Sequence, residues 1–118
     1  MMIRLSLNIF LNPKKMNLKN QIYENLKKVP KGRVITYKEL ASACNSRAYR
    51  YVGYCMKNNK SPEKIPCYKA VNSNGKVGNY SAKGGIKTKI KLLKKDGVKV
   101  VNRRVDLEKY GWTSKQQI

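Results

Sequence analysis

One cysteine lies in a sequence context that favours nucleophilic chemistry. Cys67 stands between Pro66 and an aromatic–basic pair, Tyr68 and Lys69, in a chain of 118 residues with a formal net charge of +21. A cysteine attacks as its thiolate, and a positive surrounding stabilises that anion. The chain contains no histidine, so the usual cysteine–histidine pair cannot activate this thiol. Two interpretations remain open: Cys67 is a nucleophile that acts on nucleic acid, or it is a buried, inert thiol.

The two other cysteines, Cys44 and Cys55, are expected to be core residues. Three widely spaced cysteines without histidine predict neither a metal site nor a disulfide scaffold, and they favour a reducing, cytoplasmic location. The apolar run in residues 1–10 lacks a signal-peptide cleavage site, and no segment has the length of a transmembrane helix. We therefore expect no metal, no cofactor and no membrane partner.

The excess of basic residues predicts a polyanionic partner. Lysine and arginine number 27, against 6 aspartates and glutamates. Such a charge attracts the phosphates of DNA or RNA and makes binding strongly dependent on salt. A lysine-rich genome that makes every protein basic is the alternative. The length and the 41% of hydrophobic residues predict one small folded domain.

The elements that must position Cys67 begin with a predicted helix-turn-helix. Leu18, Ile22 and Leu26 recur at helical spacing, and a turn at 30–32 ends that helix. A capping box, with Thr36 as N-cap and Glu39 three residues later, opens the next helix. A further helix, with Ser46 as its cap and rich in arginine and tyrosine, is expected to run to about residue 58. This closely spaced pair of helices is typical of a helix-turn-helix.

The second half of the chain is predicted to be a loop followed by a helix. Prolines and glycines punctuate residues 61–81, and Ile86, Ile90 and Leu93 then share one helical face, with Gly97 after the helix end. Residues 98–105 are expected to form a short strand, and the chain is expected to fray after Lys109. We expect an N-terminal extension or strand remnant at 1–15, one domain at 16–105 and a polar tail at 106–118. The fold class is mostly α with short β segments.

A series of motifs gives this chain a family resemblance over roughly residues 20–100. In chain order they are Val29-Pro30-x-Gly32, Thr36-Tyr37-x-x-Leu40-Ala41, Arg50-Tyr51-Val52-Gly53, Asn59, Ile65-Pro66-Cys67, Ser73-x-Gly75-x-Val77-Gly78-Asn79-Tyr80-Ser81 and Leu92-Leu93-x-x-Asp96-Gly97. Together they closely resemble the catalytic domain of the O6-alkylguanine-DNA alkyltransferases. The resemblance implies a winged-helix-like DNA-binding domain, monomeric and without a cofactor. It also implies a single, irreversible transfer of an alkyl group from guanine O6 in double-stranded DNA to a cysteine.

The resemblance also implies roles for individual residues in DNA binding. Cys67 matches the alkyl acceptor, and Arg50 matches the finger that occupies the space left by the flipped nucleotide. Tyr37 matches the residue that crowds the target phosphate and hydrogen-bonds the base. We expect Thr36, Arg47 and Lys69 to contact DNA as well.

The pocket for the flipped base is implied in the same way. Met56, Pro62 and Tyr80 match its walls, and the backbone of Ser81 matches the donor to the guanine oxygen. The carbonyls of Cys67 and Ala70 would accept hydrogen bonds from the exocyclic amine. Lys89 matches a lysine near the pocket lid.

The chain departs from the family at the residues that remove the proton from the thiol. The family has histidine after the acceptor cysteine, whereas this chain has Tyr68, and Asp96 stands where a glutamate is expected. Asn59 keeps its family position. We hypothesise that Tyr68 links Cys67 to Asp96, directly or through water, and that positive potential lowers the pKa of the thiol.

Three functions remain open from the sequence. The first is an alkyltransferase, which the retained Cys67 favours, since relatives that only bind damaged DNA carry another residue there. The second is a non-catalytic sensor that binds O6-alkylguanine and recruits other repair factors, which the missing histidine favours. The third is a plain helix-turn-helix module, which leaves the segment around Cys67 unexplained.

Overall fold

Short helices surround a two-residue parallel sheet in the computed structural model, which describes residues 17–113. The elements in chain order are α1 (Leu18–Lys27), β1 (Ile35–Thr36), α2 (Tyr37–Ala43), α3 (Tyr49–Lys57), a 3₁₀ helix (Cys67–Lys69), β2 (Ala70–Val71), α4 (Gly85–Lys95) and α5 (Leu107–Tyr110). The prediction of a mostly α fold with short β segments is confirmed. Within the described range, no helix combines the length and hydropathy needed to cross a bilayer.

The first helix forms where the apolar spacing predicts it. The side chain of Asn17 caps α1 by accepting a hydrogen bond from the N–H of Asn20 at 2.9 Å. The helix buries Ile22, Tyr23 and Leu26 against the helices that follow. The chain then turns at Gly32, whose φ of +83° lies in the left-handed region that glycine adopts without strain.

Helices α2 and α3 form the predicted helix-turn-helix. Thr36 caps α2, because its Oγ1 accepts a hydrogen bond from the N–H of Glu39 at 3.0 Å. The second helix begins later than Ser46 suggests: Ser46 Oγ accepts from the N–H of Ala48, and α3 starts only at Tyr49. The side chains Val52, Cys55 and Met56 on α3 are buried.

Strands β1 and β2 separate the core into two clusters of buried side chains. They pair in parallel, with Ile35 opposite Ala70 and Thr36 opposite Val71. Because successive side chains along an extended strand point to opposite faces, Ile35 and Ala70 join the cluster under α1–α3, whereas Val71 joins the cluster under α4. We call these the first and second core.

The expected strand at 98–105 is wrong, and the expected fraying after Lys109 is wrong for residues 110–113, which are the part of the tail that the structure describes. Residues 98–105 form isolated bridges around a tight turn, because Asn102 and Arg103 both adopt positive φ angles. Residues 110–112 stay attached to the domain: the N–H of Trp112 donates to the carbonyl of Val34 at 2.9 Å. Trp112 is buried in the first core, where its large ring is a packing residue. The extension predicted at 1–15 lies outside the described residues.

Candidate functional site

A cavity of about 440 Å³ lies between α3, α4 and the loop that follows β2. Its volume is within the range typical of sites for small organic groups. Its lining residues are Tyr37, Gly53, Met56, Lys57, Cys67, Asn72, Gly78, Asn79, Tyr80, Ser81 and Lys89. Six of the predicted site residues therefore meet in one place: Tyr37, Met56, Cys67, Tyr80, Ser81 and Lys89.

Cys67 lies at the buried side of this cavity. It opens the 3₁₀ helix, and 5% of its surface is exposed. Burial raises the pKa of the thiol, while the side chain of Asn59 and the ammonium of Lys89 both act to lower it. The burial effect is the largest of these, so the thiol is mostly protonated at neutral pH. Positive charge thus acts on the thiol pKa in the expected direction, through Lys89, but burial outweighs it and the net shift is upward.

Lys89 is a buried cation that lines the cavity. Its exposed fraction is 1%, and its Nζ donates to the carbonyls of Ala70 at 2.7 Å and Asn79 at 3.2 Å. Desolvation lowers the pKa of Lys89 to about 8, and the nearby thiol of Cys67 acts in the opposite direction. Lys89 is thus the positive charge that acts on Cys67 from within the site.

Asn59 fixes the loop behind Cys67. Its Nδ2 donates to the carbonyl of Ile65 at 2.8 Å, and its Oδ1 accepts from the N–H of Ser61 at 3.0 Å. The predicted pocket wall Pro62 lies in this loop, half-buried, and does not line the cavity. The two hydrogen bonds of Asn59 hold the ends of this loop together.

Tyr68 and Asp96 form a hydrogen-bonded pair on the other side of the 3₁₀ helix. The hydroxyl of Tyr68 donates to Oδ2 of Asp96 at 2.9 Å, and burial followed by this bond raises the pKa of Tyr68. The Tyr68 ring packs against the second core, whereas Cys67 belongs to the first. The groups that lower the pKa of the thiol are Asn59 and Lys89, so the link between Cys67 and Tyr68 stays a prediction.

Lys69 is a structural residue and not a contact for DNA phosphates. Only 8% of its surface is exposed, and its Nζ donates to the carbonyl of Val29 at 2.8 Å. The same Nζ lies 4.0 Å from Oδ2 of Asp96. The prediction that Lys69 binds DNA is wrong, because its ammonium is turned inward to hold the end of α4 against the turn after α1.

The remaining predicted pocket residues hold the walls together. Ala70 does not line the cavity, and its carbonyl already accepts from Lys89. The carbonyl of Cys67 accepts from the N–H of Ala70 within the 3₁₀ helix. Ser81 Oγ donates to the carbonyl of Lys57 at 2.7 Å, which ties the loop after β2 to the end of α3.

The outward face of α3 combines arginine and tyrosine beside the cavity. Arg47, just before the helix, and Arg50 are exposed, and Tyr54 is the most exposed large hydrophobic side chain in the described part of the chain, at 59%. The rings of Tyr51 and Tyr54 stack with centroids 5.9 Å apart. Thr36 is half-buried, and its hydroxyl oxygen caps α2. Exposed aromatic and guanidinium groups suit a surface that binds nucleic acid.

Several cavity residues were not singled out from the sequence. Lys57 and Asn72 are the clearest cases, at the end of α3 and directly after β2. For Asn72 the sequence did contain a signal, because a polar residue directly after a short apolar strand often lies at a site. Gly78 has a φ of +77°, and this conformation brings the loop to Tyr37: an added Cβ would lie 3.6 Å from the Tyr37 hydroxyl.

The comparisons with known proteins agree on one family. Residues 17–98 match the family described as 6-O-methylguanine DNA methyltransferase, DNA binding domain. A bifunctional methyltransferase/endonuclease of Picrophilus torridus is 41% identical over 96 residues, which is 80% of this chain and 32% of that protein. The chain spans about a third of the length of the first curated relatives that it matches.

Two solved structures have the same arrangement of elements. The O6-methylguanine-DNA methyltransferase of Pyrococcus kodakaraensis is 42% identical with a TM-score of 0.62, over 70% of this chain and 47% of that one. The Mycobacterium tuberculosis OGT in complex with DNA is 27% identical with a TM-score of 0.62, over 68% of this chain and 49% of that one. The chain belongs to the family of the 6-O-methylguanine DNA methyltransferase DNA-binding domain.

Proposed function

We propose that this protein repairs DNA by direct reversal, as a monomer that transfers the alkyl group of O6-alkylguanine to Cys67 once and irreversibly. The observation that carries the proposal is a buried thiol and a buried ammonium, Cys67 and Lys89, in one cavity beside the exposed Arg50 of α3. The cavity has room for a purine base. The related OGT in complex with DNA supports DNA as the partner.

The target base must leave the duplex before it can reach Cys67. Extrusion costs roughly a few kcal/mol and costs least for a damaged, poorly paired base. Arg50 would fill the vacancy, since its flat guanidinium can stack while it stays close to phosphates. Tyr37 would crowd the target phosphate, and Met56 and Tyr80 would flank the base.

The transfer forms one bond and breaks one bond. The Cys67 thiolate attacks the alkyl carbon, an S–C bond forms, and the C–O6 bond breaks with its electron pair on the guanine oxygen. The proton lost by the thiol balances the charge on guanine. The N–H of Ser81 would donate to O6, and the carbonyls of Cys67 and Ala70 each keep one lone pair for the exocyclic amine.

The thiol needs activation because burial raises its pKa. Lys89 would stabilise the thiolate by its charge, and Asn59 by its side-chain hydrogen bond. The Tyr68–Asp96 pair would relay the proton away from the thiol. Because the Tyr68 hydroxyl already donates to the Asp96 carboxylate, a water molecule would bridge the pair to Cys67. Slow chemistry suffices, because each molecule reacts once.

A sensor that binds O6-alkylguanine without transfer is the second candidate. The raised pKa of the Cys67 thiol and the absence of histidine favour it. Both functions use the same cavity and the same face of α3, and they differ only in whether the thiol reacts.

One experiment separates the two candidates. The protein is incubated with a duplex that contains O6-methylguanine, and the peptide with Cys67 is analysed by mass spectrometry. A methyl group on Cys67, absent in Cys67→Ser, supports transfer, whereas preferential binding of the lesion without methylation supports the sensor. A protein that neither methylates Cys67 nor prefers the lesion contradicts both functions.

A further inference from the structure

The turn at residues 101–104 is a tight hairpin turn with unusual backbone geometry. The N–H of Val101 donates to the carbonyl of Arg104 at 3.0 Å, and the N–H of Arg104 donates back at 2.9 Å. Both central residues, Asn102 and Arg103, have positive φ angles, of 52° and 60°. A turn of this type prefers asparagine followed by glycine. Arginine therefore occupies a position where its Cβ costs energy and where glycine would fit without cost.

This turn is attached firmly to the loop after β2. Lys76 and Arg104 form an antiparallel bridge, and the N–H of Val77 donates to the carbonyl of Arg103 at 2.9 Å. The guanidinium of Arg104 donates to the carbonyl of Asn74 at 3.3 Å. The position of the turn relative to the loop is thus fixed by backbone and side-chain hydrogen bonds.

The loop joins the turn to the face that the proposed function assigns to DNA. Asn74 lines a shallow groove of about 500 Å³ together with Tyr37, Tyr49 and Arg50. One continuous surface therefore runs from Arg50, across the groove, to the 101–104 turn.

The far end of this surface carries free positive charge. Arg103 and Lys76 are both exposed. Among residues 17–113 the ion pairs are Lys27–Glu24 and Lys69–Asp96, so neither cation has an acidic partner in that part of the chain. Arg104 shares a second groove with the acidic residue Asp106, so it is not counted among these free cations.

We propose that the 101–104 turn, together with Lys76, is a second DNA-binding element that holds the phosphate backbone of the duplex flanking the flipped base. Phosphates attract clustered cations that are held at a fixed position relative to a base-contacting helix. The side chain of Arg103 would offset the strain of its backbone by placing a charge at the phosphates. The inference rests on the proposed binding of DNA but not on alkyl transfer.

The test measures binding of a fluorescently labelled, unmodified duplex at several salt concentrations. The double variant Arg103→Gln/Lys76→Gln should bind more weakly, and its slope of log affinity against log salt should be shallower by about 1.8, because two phosphate contacts are lost. The control Lys28→Gln/Lys95→Gln removes the same charge from two exposed lysines that line none of the grooves described. Its slope should stay close to that of the wild type.

A third variant separates charge from backbone structure. Arg103→Gly should raise the melting temperature, because glycine adopts this φ without strain, and should weaken DNA binding at the same time. DNA binding by Arg103→Gly as tight as that of the wild type overturns the inference, as does a double variant no different from its control. Failure of the wild type to bind any duplex overturns both this inference and the proposed function.

Discussion

Cys67 and Lys89 share one buried cavity, and each acts on the proton equilibrium of the other. Burial raises the pKa of the thiol and lowers the pKa of the ammonium, whereas the attraction between a thiolate and an ammonium works against both shifts. The charged form of the pair is therefore formed more easily than either ion alone. In a chain without histidine, this coupling is the main electrostatic support for a nucleophilic thiol.

The buried Lys89 predicts a pH dependence of stability. Its pKa in the folded protein, about 8, is lower than its ordinary value, 10.5. Between these values the unfolded chain binds more protons, so the contribution of Lys89 to the free energy of unfolding rises with pH. From about pH 7.5 to about pH 9.5 we expect a gain of about 2 kcal/mol relative to Lys89→Met. Urea unfolding of both proteins in the Cys67→Ser background measures it, and parallel curves would contradict it.

The Tyr68 hydroxyl predicts an effect on the rate of alkyl transfer. Tyr68→Phe removes the donor to Asp96 and should slow methylation of Cys67 about tenfold or more, with an altered pH profile, because the proton relay is lost. Tyr110→Phe is the matched control, since Tyr110 packs against the same second core away from the cavity. If Tyr68→Phe leaves the rate and its pH profile unchanged, the tyrosine relay is wrong.

At the scale of elements, Thr36 joins the sheet to the helix-turn-helix. It ends β1, pairs with Val71, and caps α2 through its hydroxyl oxygen. Its neighbour Tyr37 is the first residue of α2 and lines the cavity. The start of this helix therefore fixes where one wall of the site lies.

Loss of the Thr36 cap should destabilise the fold without unfolding it. Thr36→Ala should lower the free energy of unfolding by about 1 kcal/mol, because the N–H of Glu39 loses its partner. Thr36→Ser keeps the hydroxyl and should retain most of the stability. Chemical denaturation measures both variants, and equal losses for alanine and serine would show that the methyl group, not the cap, matters.

The helices could be predicted from the sequence, whereas the short strands could not. Apolar spacing and caps locate α1, α2 and α4 because both signals are local. Strands of two residues are too short for any periodic pattern, so β1 and β2 emerge only from their mutual pairing.

The roles of two lysines also could not be predicted from local sequence patterns. Lys69 and Lys89 are buried, although lysine is almost never fully buried unless its charge is paired. Their partner carbonyls, on Val29 and Ala70, lie far along the chain, so no local pattern reveals them. Position 89 does lie four residues before the core residue Leu93, which was the one available signal of an inward direction.

For the whole molecule, residues 106–113 are part of the folded domain. Trp112 packs into the first core, and the carbonyl of Tyr110 accepts a hydrogen bond from the N–H of Val34 at 2.9 Å. The segment that the composition suggests is a polar tail thus contributes a large aromatic ring to the core beneath the helix-turn-helix.

Trp112 predicts a large effect on global stability. Trp112→Ala should lower the free energy of unfolding by about 3–5 kcal/mol, because it leaves a cavity beneath the helix-turn-helix. Lys109→Ala, at an exposed position of α5, should change it by less than about 0.5 kcal/mol. Thermal and urea unfolding measure both, and a stable Trp112→Ala variant would show that the core closes without this segment.

The pairing of β1 with β2 has a consequence for local unfolding. Tyr37 directly follows the first strand, and Cys67 precedes the second by three residues. If the pairing of β1 with β2 opened, the side chains of Tyr37 and Cys67 would separate and the cavity would be lost, even with every helix intact. Native-state hydrogen exchange at the paired amides would therefore report how often a folded molecule loses this cavity. Each such opening would leave the Cys67 thiol accessible to oxidants in the solvent.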